Sequence, residues 1–310
     1  MARWTTILLM ALAMSATWLA AQDQPPSKPH WAFQPLVRPA LPTVRAAARV
    51  RTPIDAFVWA KLEAKGLSFA PDADAATLVR RAYLDLLGLP PAPKEVAEFL
   101  RDCGAARETK AAPHQVLSTE YPEWNASVPD AAWLHLLDRL LASPHFGERW
   151  GRHWLDAAGY VDVTGTDNDA GIIRQGENKW KYRDYVVRAL NDDKPFDRFL
   201  LEQLAGDELV DWRTASHFTP EIQELLVATG FMRTAADDTD ENELNTMDIR
   251  YGVLHRTIEV VAGNLLGLTL GCAKCHDHKY EPITQRDYYR FQALFQPAFN
   301  PQQWLQPKER

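Results

Sequence analysis

Cys272, Cys275 and His276 stand in the order Cys-x-x-Cys-His, the pattern needed by a chain that carries haem covalently. Two thiols one turn apart can each bond one vinyl group of a single porphyrin, and the imidazole that follows them can reach the iron from one side. The expected cofactor is therefore one covalent haem c, with Cys272 and Cys275 as its thioether anchors and His276 as its axial ligand. Two other readings stay open on spacing alone. The pair could be a redox dithiol, although such sites follow a strand and Asn264 to Leu270 reads as the end of a long helix. Cys272, Cys275 and His278 could instead hold zinc, although structural zinc sites draw on two separated ligand clusters and Cys103 is the only other thiol.

A haem held on one side by His276 leaves a sixth iron position to account for. His278 is too near in sequence to swing to the opposite face, so the candidates are His145, His153, His255 and Met247. Phe146, Trp150 and Trp154 recur every four residues and form an aromatic stripe that fits either a porphyrin or a core, with His145, Arg149 and His153 on the adjacent stripe. His153, on that adjacent stripe, is a candidate second iron ligand beside His145, His255 and Met247. Elsewhere, Asp162, Asp167, Asn168 and Asp169 look like half a calcium loop without its later acidic ligand, which makes a solvated loop the default. The acidic run Asp237, Asp238, Asp240, Glu241 and Glu243 precedes a helical window, where negative charge favours the helix start. Asp156, Asp207 and Glu208 could act with His153 in acid–base chemistry only if the fold brings them together.

The elements that must position these groups are helical. Thr52-Pro53 reads as an N-cap with Pro at the first helical position, Ile54, Phe57, Val58 and Leu62 follow at helical spacing, and Gly66 closes the segment. A second helix runs from about Asp74 with Leu78, Val79, Ala82, Tyr83, Leu86 and Leu87 on one face, and stops at Gly88. Further helical windows fall at about 93–102, 130–142, 144–159, 179–192, 196–205, 220–229, 243–267 and 284–296, and strand-like alternation is nearly absent. The fold expectation is a mostly α, multi-helix single domain over 52–300, with long irregular loops and the Cys-x-x-Cys-His turn near its end. Residues 103–129 read as a loop insertion, 22–51 as an extended lead segment rich in proline, and 301–310 as a tail.

With 46% hydrophobic and 24% charged residues among 310, the composition excludes collagen-like and disordered classes, and a formal charge of −7 does not suit a nucleic-acid partner. Residues 1–21 place Arg3 before an apolar run and end on Leu19-Ala20-Ala21, the shape of a secretory signal. The mature protein is thus expected to be exported, periplasmic or extracellular, with no stable membrane span after signal removal. Only three cysteines rule out a disulfide-framed scaffold.

Several runs together resemble a known family. They include His30-Trp-Ala-Phe-Gln-Pro35, Thr52-Pro-Ile-Asp-Ala-Phe-Val58, Arg80 to Pro91, Leu141 to Trp150, His153-Trp-Leu-Asp156, Tyr182-Arg-Asp-Tyr185, Gln203 to Leu209 and Gly271 to Ile283. These are similar to the domain of unknown function found in large exported planctomycete and verrucomicrobial cytochrome-c-type proteins, over about residues 30–300. In that family the domain commonly stands between a small cytochrome-c-like module and a C-terminal companion domain. Neither lies within these residues, so the sequence reads as a stand-alone member or a truncated gene, and 103–129 as an insertion. The resemblance implies a C-type haem at Cys272, Cys275 and His276, marks His153 as a family position, and implies a redox partner protein or companion domains. The leading functional expectation is electron transfer. The alternatives are an extracytoplasmic haem- or metal-dependent enzyme, which the resemblance would direct at carbohydrate, and a scaffold domain with vestigial haem.

Overall fold

In the computed structural model of the chain, residues 33–45, 49–104, 128–164, 174–233, 235–240 and 244–306 are described. The signal segment, most of the 103–129 loop and the proposed calcium ligands Asp167, Asn168 and Asp169 lie outside them. The chain divides into two compact units after Asp72.

The first unit holds α1 (Pro53–Glu63). Thr52 and Asp55 form a reciprocal capping box, with Asp55 Oδ2 accepting the Thr52 backbone N–H at 2.8 Å, and Pro53 occupies the first turn. The face this helix buries is not its predicted apolar stripe. Ala56 and Trp59 are buried, whereas Ile54, Phe57 and Val58 are exposed. Trp59 decides the side: its ring meets Phe69 edge-on at 4.5 Å, and its indole N–H donates to Glu63.

The second unit carries nine α-helices among the described residues, all near the expected windows: α2 (Ala75–Leu86), α3 (Pro93–Asp102), α4 (Asp130–Leu141), α5 (Pro144–Ala157), α6 (Lys179–Asn191), α7 (Phe196–Ala205), α8 (Pro220–Ala228), α9 (Met247–Val261) and α10 (Gln285–Phe299). Side-chain caps set many of their starts. Asp74, Ser143, Thr219, Thr246 and Thr284 each accept a backbone N–H of the first turn. One two-stranded antiparallel pair, β1 (Val163–Thr164) with β2 (Arg174–Gln175), interrupts the helical pattern. The chain is mostly helical, as expected.

The window 243–267 does not form one α-helix. The Thr246 hydroxyl caps α9 and fixes its start at Met247, and Ala262–Leu266 widens into a π-helical turn that ends on Gly267 at φ +66°. Three apolar clusters hold the second unit. One gathers α2, α3 and α4 around Val79, Phe99 and Leu136. A second joins α5, α6, α7 and α8 around Tyr182, Tyr185, Val186, Phe199 and Phe231. The third packs α9 and α10 with the chain between them around Leu254, Ile258, Tyr288 and Trp304. Residues 301–306 take part, since Trp304 is buried and donates its indole N–H to Thr239 Oγ1 at 2.7 Å.

The α5–α6 pair is a close backbone contact. A Cβ on Gly147 would lie 2.4 Å from the Val187 carbonyl oxygen, so only glycine lets the two backbones approach this closely. The Asn191 side chain accepts the Gly147 N–H at 2.7 Å and donates to the Pro144 carbonyl, tying the start of α5 to the end of α6.

Candidate functional site

Between the π-helical turn and α10, Gly271–Lys274 makes a turn of 3-10 helix. In that geometry residues three apart eclipse, which puts Cys272 and Cys275 on one side of the turn. Ala273, between them, is fully buried with Leu270 in the α9–α10 cluster, and it pins the turn while both thiols and His276 stay exposed. The thiols are free.

Side chains of α10 hold the outer edge of the turn. Gln285 donates from Nε2 to the carbonyls of Lys274 and Cys275, each at 3.1 Å, and the Tyr289 hydroxyl donates to the Lys274 carbonyl at 3.1 Å. Asp277 Oδ1 accepts the Gln285 backbone N–H at 2.7 Å, closing the loop onto the start of α10. Beneath it, His255 Nδ1 lies 2.8 Å from the hydroxyl of the fully buried Tyr288, and its Nε2 lies 3.6 Å from Glu259. Burial lowers the His255 pKa, against the opposing charge of Glu259, and pushes the Tyr288 phenol up to about 12.

The two histidines of the turn are wired in opposite ways. His276 Nδ1 lies 2.8 Å from the Asp277 carbonyl oxygen, which can only accept, so Nδ1 carries the proton and the neutral ring keeps its lone pair on Nε2. His278 Nδ1 accepts the N–H groups of Glu281 at 2.9 Å and Tyr280 at 3.3 Å, which leaves Nε2 to donate toward Thr269 Oγ1 at 3.4 Å. His278 therefore ties the loop together. The zinc alternative that needed its imidazole has no support, and no group of three His, Cys, Asp or Glu side chains among the described residues is arranged to hold a metal ion.

The other sequence candidates are scattered. His153 is exposed on α5 with its ring 5.5 Å from that of Trp150, and no hydrogen bond, ion pair or ring contact joins it to the cysteine turn among the described residues. The aromatic stripe splits. Trp154 enters the core against Phe199 and Phe231, its indole N–H shared between the Tyr182 hydroxyl and Gln203 Oε1, whereas Trp150 stays outside against Phe146. His145 is engaged by Glu148 at 2.8 Å, and Met247 is exposed near Arg250. Asp156 pairs with Arg152 at 3.1 Å, and no such contact joins it to His153, Asp207 or Glu208, so the acid–base grouping is not assembled. In the acidic run, Asp237 is buried and its carboxylate accepts from the N–H and hydroxyl of Thr239, and Asp238 pairs with Arg256 at 3.5 Å; Glu241 and Glu243 lie outside the described residues. Asp162 accepts the Tyr160 hydroxyl and faces Arg183 at 3.9 Å. Cys103 sits at the end of α3 against the α2–α4 cluster, where burial raises its thiol pKa.

Sequence reasoning missed the buried carboxylate Glu202. It accepts from the Tyr185 hydroxyl at 2.9 Å, Lys194 Nζ at 2.6 Å and Arg198 Nε at 2.7 Å. Burial raises its pKa, but the three donors outweigh that and the carboxyl titrates below its ordinary range. The Arg198–Glu202 spacing of four was the only signal in the sequence that could have pointed to it.

No curated protein and no solved structure matches the chain. A family model described as a protein of unknown function, DUF1549 (PSCyt2), matches residues 53–299, which is most of the chain, and the protein belongs to that family.

Proposed function

We propose that this chain is an exported C-type haem domain that exchanges electrons with a partner protein or companion domain, its single haem bonded through Cys272 and Cys275 and ligated by His276. The observation that carries the reading is the wiring of His276: its Nδ1 proton is committed to the Asp277 carbonyl, so the Nε2 lone pair is available beside two free, exposed thiols on one side of a turn. The side chains nearby suit an apolar ring. Tyr289 is held at the turn by its hydroxyl and is half-exposed, and Tyr280, two residues beyond His278, is largely exposed. Bound haem supplies a one-electron couple; this chain supplies the anchors, one ligand and its tautomer.

His153 is the proposed second ligand. Of the four candidates, His145 and His255 have imidazoles engaged by neighbours and the Met247 sulfur lies 4.0 Å from the Arg250 guanidinium, whereas His153 has no hydrogen-bond partner among the described residues. The end of its helix is also tied to the segment leading into the cysteine turn, because Asn264 donates to the Ala157 carbonyl at 2.7 Å. Export is proposed from residues 1–21; among the described residues no helix is long and apolar enough to cross a membrane.

Haem staining of the exported protein after denaturing electrophoresis tests the core of this reading, since only thioether-bonded haem stays with the unfolded chain. Wild type is expected to stain and Cys272→Ala or Cys275→Ala to lose most or all of the stain; unchanged stain in both variants, or none in wild type, refutes it. His153→Ala is expected to convert a low-spin spectrum to a high-spin one that binds carbon monoxide, and an unaltered low-spin spectrum removes His153 from the iron.

A further inference from the structure

Three of the runs that carry the family resemblance, Leu141 to Trp150, His153-Trp-Leu-Asp156 and Tyr182-Arg-Asp-Tyr185, have no part in haem attachment apart from His153. They meet in one place. Beside their close contact at Gly147, α5 and α6 flank a cleft of about 590 Å³, within the size range of small-molecule sites. Its lining includes Arg152 on α5, Arg183, Asp184 and Arg188 on α6, Asp162 on the segment between α5 and β1, and the buried Leu155.

The charges of this lining are unequally committed. Arg152 Nε is 3.1 Å from Asp156, outside the lining, and Arg183 is 3.1 Å from Asp184 and 3.9 Å from Asp162. Glu148, also in the lining, is taken by His145 at 2.8 Å. Arg188 has no ion-pair or hydrogen-bond partner among the described residues. The cleft thus offers one uncommitted guanidinium, a fork matched to a carboxylate, next to carboxylate oxygens that accept hydroxyl protons. A bare anion would gain from Arg188 but face Asp162 and Asp184; a neutral polyol would leave Arg188 unused. A molecule with one carboxylate and several hydroxyls satisfies both. We propose that the cleft between α5 and α6 is a binding site for a small polyhydroxy monocarboxylic acid, its carboxylate on Arg188 and its hydroxyls on Asp162 and Asp184.

The construction supports a formed site. The glycine contact and the Asn191 clasp fix the spacing of the two helices, and Tyr160, at the cleft edge, is held by its hydroxyl on Asp162 and by an isolated bridge to Ala235.

Isothermal titration of the full chain with D-gluconate, acetate and sorbitol separates the terms. Gluconate is expected to bind saturably, with acetate and sorbitol each at least about tenfold weaker, because acetate lacks the hydroxyls and sorbitol the carboxylate. Arg188→Gln should weaken gluconate about tenfold or more without changing the unfolding midpoint, since no described partner is left unpaired. Asp184→Asn should weaken gluconate relative to acetate, since it removes a carboxylate acceptor that only the polyol hydroxyls use while relieving the charge that acetate faces. No saturable gluconate binding, or an affinity untouched by Arg188→Gln, overturns the proposal. Acetate binding as tightly as gluconate overturns the hydroxyl assignment and leaves an anion site only. None of these readings depends on haem, so haem staining and gluconate binding can fail separately.

Discussion

The two polar networks of the second unit differ in what they do with their hydrogen-bonding capacity. Around Glu202 and Gln203 each group is consumed inside the fold: Trp154 and Tyr182 converge on Gln203, and Tyr185, Lys194 and Arg198 converge on Glu202. Around the cysteine turn, backbone carbonyls are satisfied by exposed side chains of α10, while both thiols and the Nε2 of His276 have no partner among the described residues. The first pattern makes stability and the second leaves chemistry available. A satisfied buried network has little capacity to bind anything, whereas a reactive turn must be positioned by contacts that use only its backbone.

The largest expected effect breaks the first network. Glu202→Ala removes the acceptor of three donors, and stability in denaturant unfolding should fall by about 3–5 kcal/mol, as when one partner of a buried charged group is lost. A loss below that of the surface substitution given last would erase the distinction between the regions. Next comes Gly147→Ala, whose methyl would press on the Val187 carbonyl and Asn191 and should cost about 1–3 kcal/mol through overpacking.

Acid sharpens the comparison. The Glu202 carboxyl is depressed in the folded state, so its contribution is full above the ordinary carboxylate range and is lost as pH falls through its folded value. Wild type should lose stability on acidification through that window. Glu202→Gln should show a shallower loss in the same titration, and parallel curves would remove Glu202 as a source of acid sensitivity. The smallest effect belongs to the turn. Gln285→Ala frees the carbonyls of Lys274 and Cys275, and global stability should move by less than about 0.5 kcal/mol. Alkylation of Cys275 should nevertheless speed up relative to that of Cys103; equal rates in wild type and variant would show that the Gln285 amide does not restrain the turn.

The sequence revealed different amounts of these regions for physical reasons. Caps and helical periods are local, so Thr52-Pro53 and Asp74 marked helix starts that the structure reproduces, and the windows opening at 144, 220 and 284 fall where Ser143, Thr219 and Thr284 cap their helices. The order Cys-x-x-Cys-His is local too. What was illegible depends on neighbours distant in sequence. Trp150 and Trp154 share a stripe, yet only Trp154 meets Phe199 and Phe231, and no period distinguishes them. The π turn at Ala262–Leu266 is as apolar as the helix before it, and the buried face of α1 follows Phe69 instead of its most hydrophobic residues. The role of His278 as a loop tie rests on two backbone N–H groups and could not be read from its place beside the cysteines.

The Asn191 clasp has a consequence for how this chain can change over time. The register of α5 against α6 is set at the end of the pair remote from the connection between them, by Gly147 against Val187 and by one amide reaching back to Pro144. The alignment of the two helices therefore does not rest on the connection between them, and each doubling of a loop's length costs only about 0.6 kcal/mol of closure entropy. Insertions in that connection are tolerated in proportion, so homologous chains can vary in length there while the helix pair keeps its alignment.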